Sequence, residues 1–188
     1  MKSFLSDRGV GNKLVRTLVL GILVCVWSGA QADLPPPVQA KVDKYKQKLV
    51  EWAADPAIIT AVKEANVKGA VAGITNSKWD ELTDKDPEVS AILNSATSVL
   101  LRQWDQDKGI NKLFLRDKDG NLVAASNKPL LYNSAPRTVI KEAMKGVAWA
   151  ANEIKPDVTT QIKSVQLSAP VKDGGKVIGV IHSAVTVE

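Results

Sequence analysis

The chain opens on an apolar run that is too short to span a membrane. Residues 17–27 read TLVLGILVCVW, roughly 16 Å as a helix, whereas a bilayer core of about 30 Å needs about 20 residues. Basic residues precede this run, and small residues follow it up to Ala30-Gln31-Ala32, the small-x-small pattern that signal peptidases accept. We therefore expect a signal peptide over 1–32, cleaved after Ala32, and a single domain over 33–188 in the periplasm or secreted.

The same segment has two other interpretations. An uncleaved membrane anchor would need a longer apolar run. A lipoprotein would be anchored through Cys25, but such signals normally have Gly, Ala or Ser before the cysteine, where this chain has Val24. Both observations favour cleavage after Ala32.

Helical periodicity follows over the first half of the expected domain. Apolar residues recur at steps of three and four from Val42 to Trp52, with lysines between them, which predicts an amphipathic helix starting near Val38 behind a proline-rich leader. Two Asp-Pro pairs are start signals, because Asp caps a helix N-terminus and Pro suits its first position. These signals predict a helix from Asp55-Pro56 to about Gly69, a helical turn at Trp79 within the connection over 70–86, and a helix from Asp86-Pro87 to near Trp104.

A β-hairpin is predicted after Gly109, where the pattern changes from the period of helices to that of strands. Residues 112–116 and 122–126 flank Asp117-Lys118-Asp119-Gly120-Asn121. These five residues also match the start of a calcium loop, since oxygens at alternate positions followed by Gly suit that ion. The EF-hand order would place the Gly one residue later and an acid at Lys128, so we interpret them as a hairpin turn.

The rest of the chain combines a short helix with further strands. Pro136 and Gly146 bracket a predicted helix over 137–145. Alternating apolar residues then predict strands at 161–171 and 176–187, with a further candidate at 149–154. This order predicts an α+β fold, in which long N-terminal helices pack on an antiparallel sheet of about five strands.

Removal of residues 1–32 changes what the composition implies. The chain has 25 Lys and Arg against 20 Asp and Glu, but four of those bases and one acid lie in 1–32, so 21 and 19 remain, a formal charge of +2. This near balance does not support nucleic-acid binding, and no basic stripe with interleaved aromatics is present. The only cysteine, Cys25, is also in 1–32, which excludes disulfides and thiolate chemistry from 33–188.

The sequence lacks the residues and motifs that catalysis and cofactor binding usually require. His182 is the only histidine, so no multi-histidine metal site and no Cys-His pair can form. No G-x-S-x-G motif is present to display a nucleophilic serine. We therefore expect no enzyme activity, no metal and no cofactor. The structural interpretation of His182 is a strand residue that lines the sheet.

Three stretches carry the pattern of a known family. They are the hairpin over 113–126, Arg137 followed by Glu142-Ala143-Met144-Lys145-Gly146, and residues 167–181, LSAPVKDGGKVIGVI. In this order, over about 38–187, they resemble the extracytoplasmic Cache (PDC) family of PAS-like sensor domains. The resemblance implies a PAS-like antiparallel sheet with a ligand pocket over it.

The sequence also departs from this family. Members that bind amino acids typically carry aromatic residues just after the arginine, where this chain has Val139 and Ile140, and often an acid near Ala184. The resemblance therefore implies a Cache domain without the usual amino-acid-binding set. Most members lie between two membrane spans of a receptor, whereas we expect this chain to be a free-standing, exported form.

The candidate ligand contacts are residues that this fold would gather over the sheet. Arg137 offers a planar fork for a carboxylate, and aromatic side chains supply apolar walls; the structural alternatives are a surface charge for Arg137 and a core position for Trp149. Along the strand from Gln161 residues alternate between two faces, and which face meets the pocket stays open. The predicted ligand-binding residues are Tyr132, Arg137, Trp149, Gln161, Lys163 and His182.

The expected function is that of an exported single-domain sensor or binding protein for a small molecule, with a carboxylate-bearing ligand favoured. Bound ligand would shift the population to a closed arrangement that a membrane receptor or another periplasmic protein reads. The alternative is a periplasmic adaptor that binds no ligand and docks a partner through the amphipathic helix face over 38–52. The same helix is a candidate surface for a homodimer.

Overall fold

The computed structural model describes residues 33–187. The signal peptide predicted over 1–32, with its cleavage site and the Cys25 alternative, lies outside the described residues. Within 33–187, no helix is both long and apolar enough to cross a bilayer.

The first helix, α1 (Pro36–Ala53), begins two residues before the predicted start. Prolines occupy its first turn, where a helix needs no N–H donor, so they open the helix instead of preceding it. Its apolar residues Val42, Tyr45 and Leu49 are buried in the main core. The apolar face considered as a docking or dimer surface is therefore covered by the protein's own sheet.

The first Asp-Pro signal works as predicted. The Asp55 carboxylate accepts a hydrogen bond from the Ala57 N–H at 2.7 Å and caps α2 (Pro56–Lys68). The expected helical turn at Trp79 is α3 (Asn76–Glu81).

The single helix predicted from Pro87 to Trp104 is wrong, because it is two helices, α4 (Pro87–Leu93) and α5 (Ala96–Trp104). Ser95 separates them, since its Oγ accepts a hydrogen bond from the Ser98 N–H at 3.2 Å and caps the second helix. An internal serine was thus a second start signal in an otherwise continuous apolar pattern.

The sheet confirms the predicted α+β class. Its strands are β1 (Ile110–Asp117), β2 (Leu122–Ala125), β3 (Trp149–Ala150), β4 (Lys155–Pro156), β5 (Lys163–Asp173) and β6 (Lys176–Thr186). All pairs are antiparallel, in the order β2-β1-β6-β5-β3, with β4 also paired to β5. The sixth strand arises because the region after Gly146 forms two short edge strands instead of one.

The start of β5 differs from the prediction by two residues. Gln161 has a φ of 60°, and its N–H donates to the Asp157 carbonyl at 2.9 Å. It therefore closes a turn before the strand, whereas Lys163 is the first strand residue.

The two faces of the sheet have different coverings. On one face, Leu115, Ile181 and Ala169 share a row and lie in the main core beneath α1 and α2. On the other face, Phe114, His182 and Ser168 lie opposite one another. The short helix α6 (Thr138–Met144) covers part of this second face, and two cavities lie beside it.

Candidate functional site

An open cleft of about 770 Å³ lies on the second face of the sheet. Its floor is made by polar and small side chains of β5 and β6, and its walls are the residues before α6 and the segment 151–157. The residues that line the cleft include Arg137, Trp149, Asp157, Ser164, Gln166 and Ala184. The even-numbered residues of β5 thus face the cleft, which answers the question that the alternation left open.

Arg137 and Trp149 are brought together, since both line this cleft. Arg137 is the N-cap residue of α6 and its side chain is exposed. Trp149 lies on β3 opposite Ser168 and also packs against the apolar residues of α6. An arginine fork and an aromatic wall therefore border one space, as a pocket for a small acid requires.

A second, smaller cavity of about 60 Å³ adjoins the cleft, because Arg137 and Asp157 line both. Its other lining residues include Phe114 and Arg116 from β1, His182 from β6, and Lys128 and Ser134 from the connection before α6. His182 lines only this smaller cavity, whereas Trp149 lines only the larger cleft and Arg137 lines both.

Arg116 is a charged residue of the site that sequence reasoning missed. Only 1% of it is exposed, and its Nη1 donates to the carbonyls of Leu131 (3.1 Å) and Tyr132 (2.6 Å). Burial, and next the positive charge of Arg137, lower the pKa of Arg116 to about 9, so the guanidinium is charged at neutral pH. The available signal was the strand period, which places Arg116 on the same face as Phe114.

His182 is held as a neutral imidazole. Its Nε2 accepts a hydrogen bond from the Arg116 Nε–H at 3.3 Å, and its ring lies 5.1 Å from that of Phe114. Burial, followed by the charges of Arg116 and Arg137, lowers the pKa of His182 well below its usual value. The residues of 33–187 contain no cluster of three His, Cys, Asp or Glu side chains able to hold a metal ion.

The segment that walls the cleft is tied to the sheet by an ion pair. Lys112 Nζ lies 2.8 Å from Asp157 Oδ1, and it also contacts Thr159. The same carboxylate accepts hydrogen bonds from the N–H groups of Thr159 and Thr160, both at 2.9 Å. Burial would raise the pKa of Asp157, but the bonds from Lys112 and Thr159 outweigh it and hold that pKa well below its usual value.

Three of the six predicted contacts line neither cavity. The Tyr132 ring is buried with Trp79, and its hydroxyl accepts a hydrogen bond from the Val71 N–H at 2.8 Å. Only its backbone carbonyl meets Arg116. Gln161 lies in the turn before β5, and Lys163 is an exposed residue at the start of that strand, on the opposite face from Ser164.

The Asp117 turn uses its carboxylate internally. Asp117 Oδ1 accepts hydrogen bonds from the N–H groups of Asp119 (2.9 Å) and Asn121 (2.8 Å), and its Oδ2 accepts one from Asn121 Nδ2 (3.0 Å). The segment is therefore the predicted hairpin turn, closed by its own first residue.

No protein-family model and no curated protein matches this chain. Among solved structures, the chain is similar to the sensor domain of the Vibrio cholerae histidine kinase DctB, with 17% identity and a TM-score of 0.41 over 81% of this chain and 58% of that one. It is also similar to the ligand-binding domain of the Pseudomonas aeruginosa amino-acid chemoreceptor PctC in complex with GABA, with 16% identity and a TM-score of 0.44 over 81% and 56%. A third is the sensory domain of the Campylobacter jejuni chemoreceptor Tlp3 with isoleucine bound, with 11% identity and a TM-score of 0.39 over 81% and 64%.

By their names, these neighbours are sensor or ligand-binding domains of a histidine kinase and two chemoreceptors. The chain spans less than two thirds of the length of each.

Proposed function

We propose that this chain is an exported small-molecule sensor or binding domain whose ligand occupies the 770 Å³ cleft. The observation that carries the proposal is the cleft itself, which joins the Arg137 fork, the Trp149 wall and the hydrogen-bonding floor of Ser164 and Gln166. A concave space of this size with a few convergent polar groups is the usual form of a small-molecule site.

The charges around the cleft favour an acidic ligand. Asp157 is paired with Lys112, and Glu153 is paired with Lys155 at 2.5 Å. Arg137, in contrast, takes part in none of the ion pairs found among residues 33–187. The charge left to attract a ligand is therefore positive, and a guanidinium binds carboxylates with two parallel hydrogen bonds.

The two departures from the family pattern have a physical meaning here. Val139 and Ile140 are buried against Val180, so the positions after the arginine serve packing and do not reach a ligand. Ala184 faces the cleft directly opposite Gln166 and offers no carboxylate to an ammonium group. These features favour a carboxylate without an obligatory amino group.

The proposed signalling step is a population shift. A ligand that contacts both Arg137 and the segment 151–157 would stabilise the arrangement in which these walls approach each other. Strands β5 and β6 form the cleft floor on one face and pack against α1 on the other. We propose that α1 reports this change to a membrane receptor or another periplasmic protein.

The test is a thermal-shift screen of residues 33–188 with carboxylates, amines and purines. We expect carboxylates to raise the melting temperature, and Arg137→Ala to abolish the shift while the protein stays folded. Arg102→Ala is the matched control, because that arginine binds the Leu93 carbonyl at the α4–α5 end and lines neither cavity. Absence of any stabilising compound, or an unchanged shift in Arg137→Ala, would contradict the proposal.

The adaptor alternative loses its main support. Its docking face was the apolar side of α1, which packs on the sheet. Recovery of one stable protein partner by a chain that binds no compound in the screen would favour the adaptor over the sensor.

A further inference from the structure

Arg116 carries a buried positive charge whose hydrogen-bond partners are all neutral. They are two backbone carbonyls and the imidazole of His182. None of the ion pairs among residues 33–187 includes Arg116. The adjacent acid, Asp117, turns its carboxylate to the hairpin backbone. The charge of Asp117 acts on Arg116 from a distance, but no carboxylate of the described residues forms an ion pair with the guanidinium. A buried charge without a contacting counter-charge is costly, so the site favours an added anion.

The guanidinium of Arg116 also borders a cavity. Its Nε and Nη1 atoms donate hydrogen bonds to neutral acceptors. Arg116 lines the 60 Å³ cavity together with Arg137. The chain has three arginines in 33–187, and two of them meet at this one small space.

We propose that the 60 Å³ cavity is an anion subsite, in which Arg116 and Arg137 bind a single carboxylate or oxyanion group and His182 positions Arg116. This subsite would set the orientation of the ligand that we propose for the cleft. The anionic end enters the cavity, which has room for one small group, and the body of the ligand lies in the cleft over Trp149 and Gln166.

Each residue has a separate part in this subsite. Arg116 supplies the buried charge, which is strong because little water screens it. Arg137 lies at the junction of the two cavities and supplies the second fork. His182 accepts the Nε–H and so fixes the orientation of the guanidinium, which makes it a positioning residue.

The opposite interpretation is that Arg116 is only a clamp on the connection before α6. Its bonds to the carbonyls of Leu131 and Tyr132 fix that connection. A clamp would affect stability whether or not an anion is present, whereas a binding residue changes the response to anions. The test must therefore measure the response to anions rather than stability alone.

The experiment titrates residues 33–188 with acetate and, as a neutral isostere, acetamide at constant ionic strength. Melting temperature and the NMR signals of Arg116 Nε–H and the His182 ring are followed. We expect acetate to give saturable changes and acetamide to give none. A parallel titration with inorganic phosphate distinguishes preference for a carboxylate from preference for a phosphate group, and either anion supports the subsite.

Variants then assign the binding to the two arginines. We expect Arg116→Gln and Arg137→Gln each to weaken acetate binding by about tenfold or more, and Arg102→Gln to leave it unchanged. If Arg116→Gln does not fold, the wild-type Arg116 Nε–H signal carries the test, because acetate bound in the subsite must shift it, whereas acetate bound to Arg137 in the cleft alone would not. Equal responses to acetate and acetamide, or an Arg137→Gln variant that binds acetate like the wild type, would overturn the subsite.

This inference rests on the proposed function only for the body of the ligand, and the two can fail separately. Acetate binding without any larger stabilising compound would support the subsite and contradict the sensor. A larger compound that binds Arg116→Gln and the wild type equally, with no acetate binding, would overturn the subsite and leave the sensor standing.

Discussion

The Nε–H of Arg116 donates a hydrogen bond to Nε2 of His182 at 3.3 Å, across the pair of strands β1 and β6. This bond exists only while the imidazole is neutral, because a protonated His182 has no lone pair at Nε2. Protonation would also place a second positive charge beside a buried guanidinium. The pair therefore links the stability of the sheet to pH.

We predict that the free energy of unfolding falls as pH decreases from about 7.5 to 5.5. The pKa of His182 in the folded protein is well below its usual value, so the unfolded chain binds more protons once pH drops through about 6.5. The contribution of the neutral imidazole to the free energy of unfolding is fully present above this pH. Below it, that contribution falls by up to about 1.4 kcal/mol per pH unit. Urea unfolding at several pH values measures the slope.

His182→Gln is the control for this pH effect. Glutamine keeps an acceptor for the Arg116 Nε–H but does not titrate. The variant keeps both charged groups that act on His182, Arg116 and Arg137, and removes only the histidine, so the slope should flatten. Equal slopes in wild type and His182→Gln would refute a neutral buried histidine.

A second prediction concerns the connection between α1 and the start of β1. The Tyr45 hydroxyl and Lys48 Nζ each donate to the Asp107 carboxylate at 2.7 Å, and the Gly109 N–H donates to it at 2.9 Å. Tyr45→Phe removes a hydrogen bond to a charged acceptor, so we expect a loss of about 1–2 kcal/mol in urea unfolding at pH 7.

Tyr132→Phe provides the comparison for Tyr45→Phe. The Tyr132 hydroxyl accepts a hydrogen bond from the neutral backbone N–H of Val71. Tyr132→Phe should therefore lower the free energy of unfolding by less than Tyr45→Phe does. The reverse order of the two losses would show that the Asp107 network adds little to stability.

A third prediction tests the tie between Lys112 and Asp157. Lys112→Met removes the cation that holds the 157–160 turn to β1. The amides of Thr159 and Thr160, which donate to Asp157, should exchange hydrogen about tenfold faster, since one hydrogen bond contributes about 1 kcal/mol to local stability.

An internal control exists for this exchange experiment. The Asn121 amide donates to Asp117 in a similar side-chain-capped turn but lies outside the Lys112 contact, so its exchange rate should stay the same. Faster exchange at Asn121 as well would indicate global destabilisation and not release of the cleft wall.

The parts of this structure that sequence predicts are those with local causes. Asp55 caps a helix, and Asp117 closes a hairpin turn, with the neighbours that the sequence itself supplies. Ser95 was missed because its capping role competes with an apolar helical pattern on both sides. The turn at Gln161 was missed because its positive φ depends on a bond to Asp157 that a strand pattern does not reveal.

The candidate site was predicted only in part, because it depends on which distant residues share a face. Arg137 and Trp149 were found by position between elements, and both line the cleft. Tyr132 lies only five residues before Arg137 in the sequence, yet its ring packs in the core beside Trp79. From the sequence alone, an arginine in a hairpin strand would be expected to face solvent. Arg116 is buried because strand β6 and the connection before α6, both distant in the sequence, cover it.

The last prediction concerns ligand selectivity and the floor residue Ala184. It faces the cleft opposite Gln166, at the position where the resemblance implies that amino-acid-binding relatives often have an acid. Ala184→Asp would place a carboxylate there, and a ligand ammonium would gain a charged hydrogen-bond partner. In the thermal-shift screen, we expect simple carboxylates to lose their stabilising effect, since the new charge repels them, while zwitterionic amino acids gain one.

Ala184→Asn separates charge from shape in this experiment. Asparagine has nearly the volume of aspartate without its charge, so steric filling of the cleft would affect both variants alike. A selectivity change confined to Ala184→Asp would therefore be electrostatic, and would show that the neutral floor is what restricts the cleft to ligands whose net charge is negative. If both variants keep the wild-type response to every compound, Ala184 does not face the ligand and the proposed placement of its body over Gln166 is wrong.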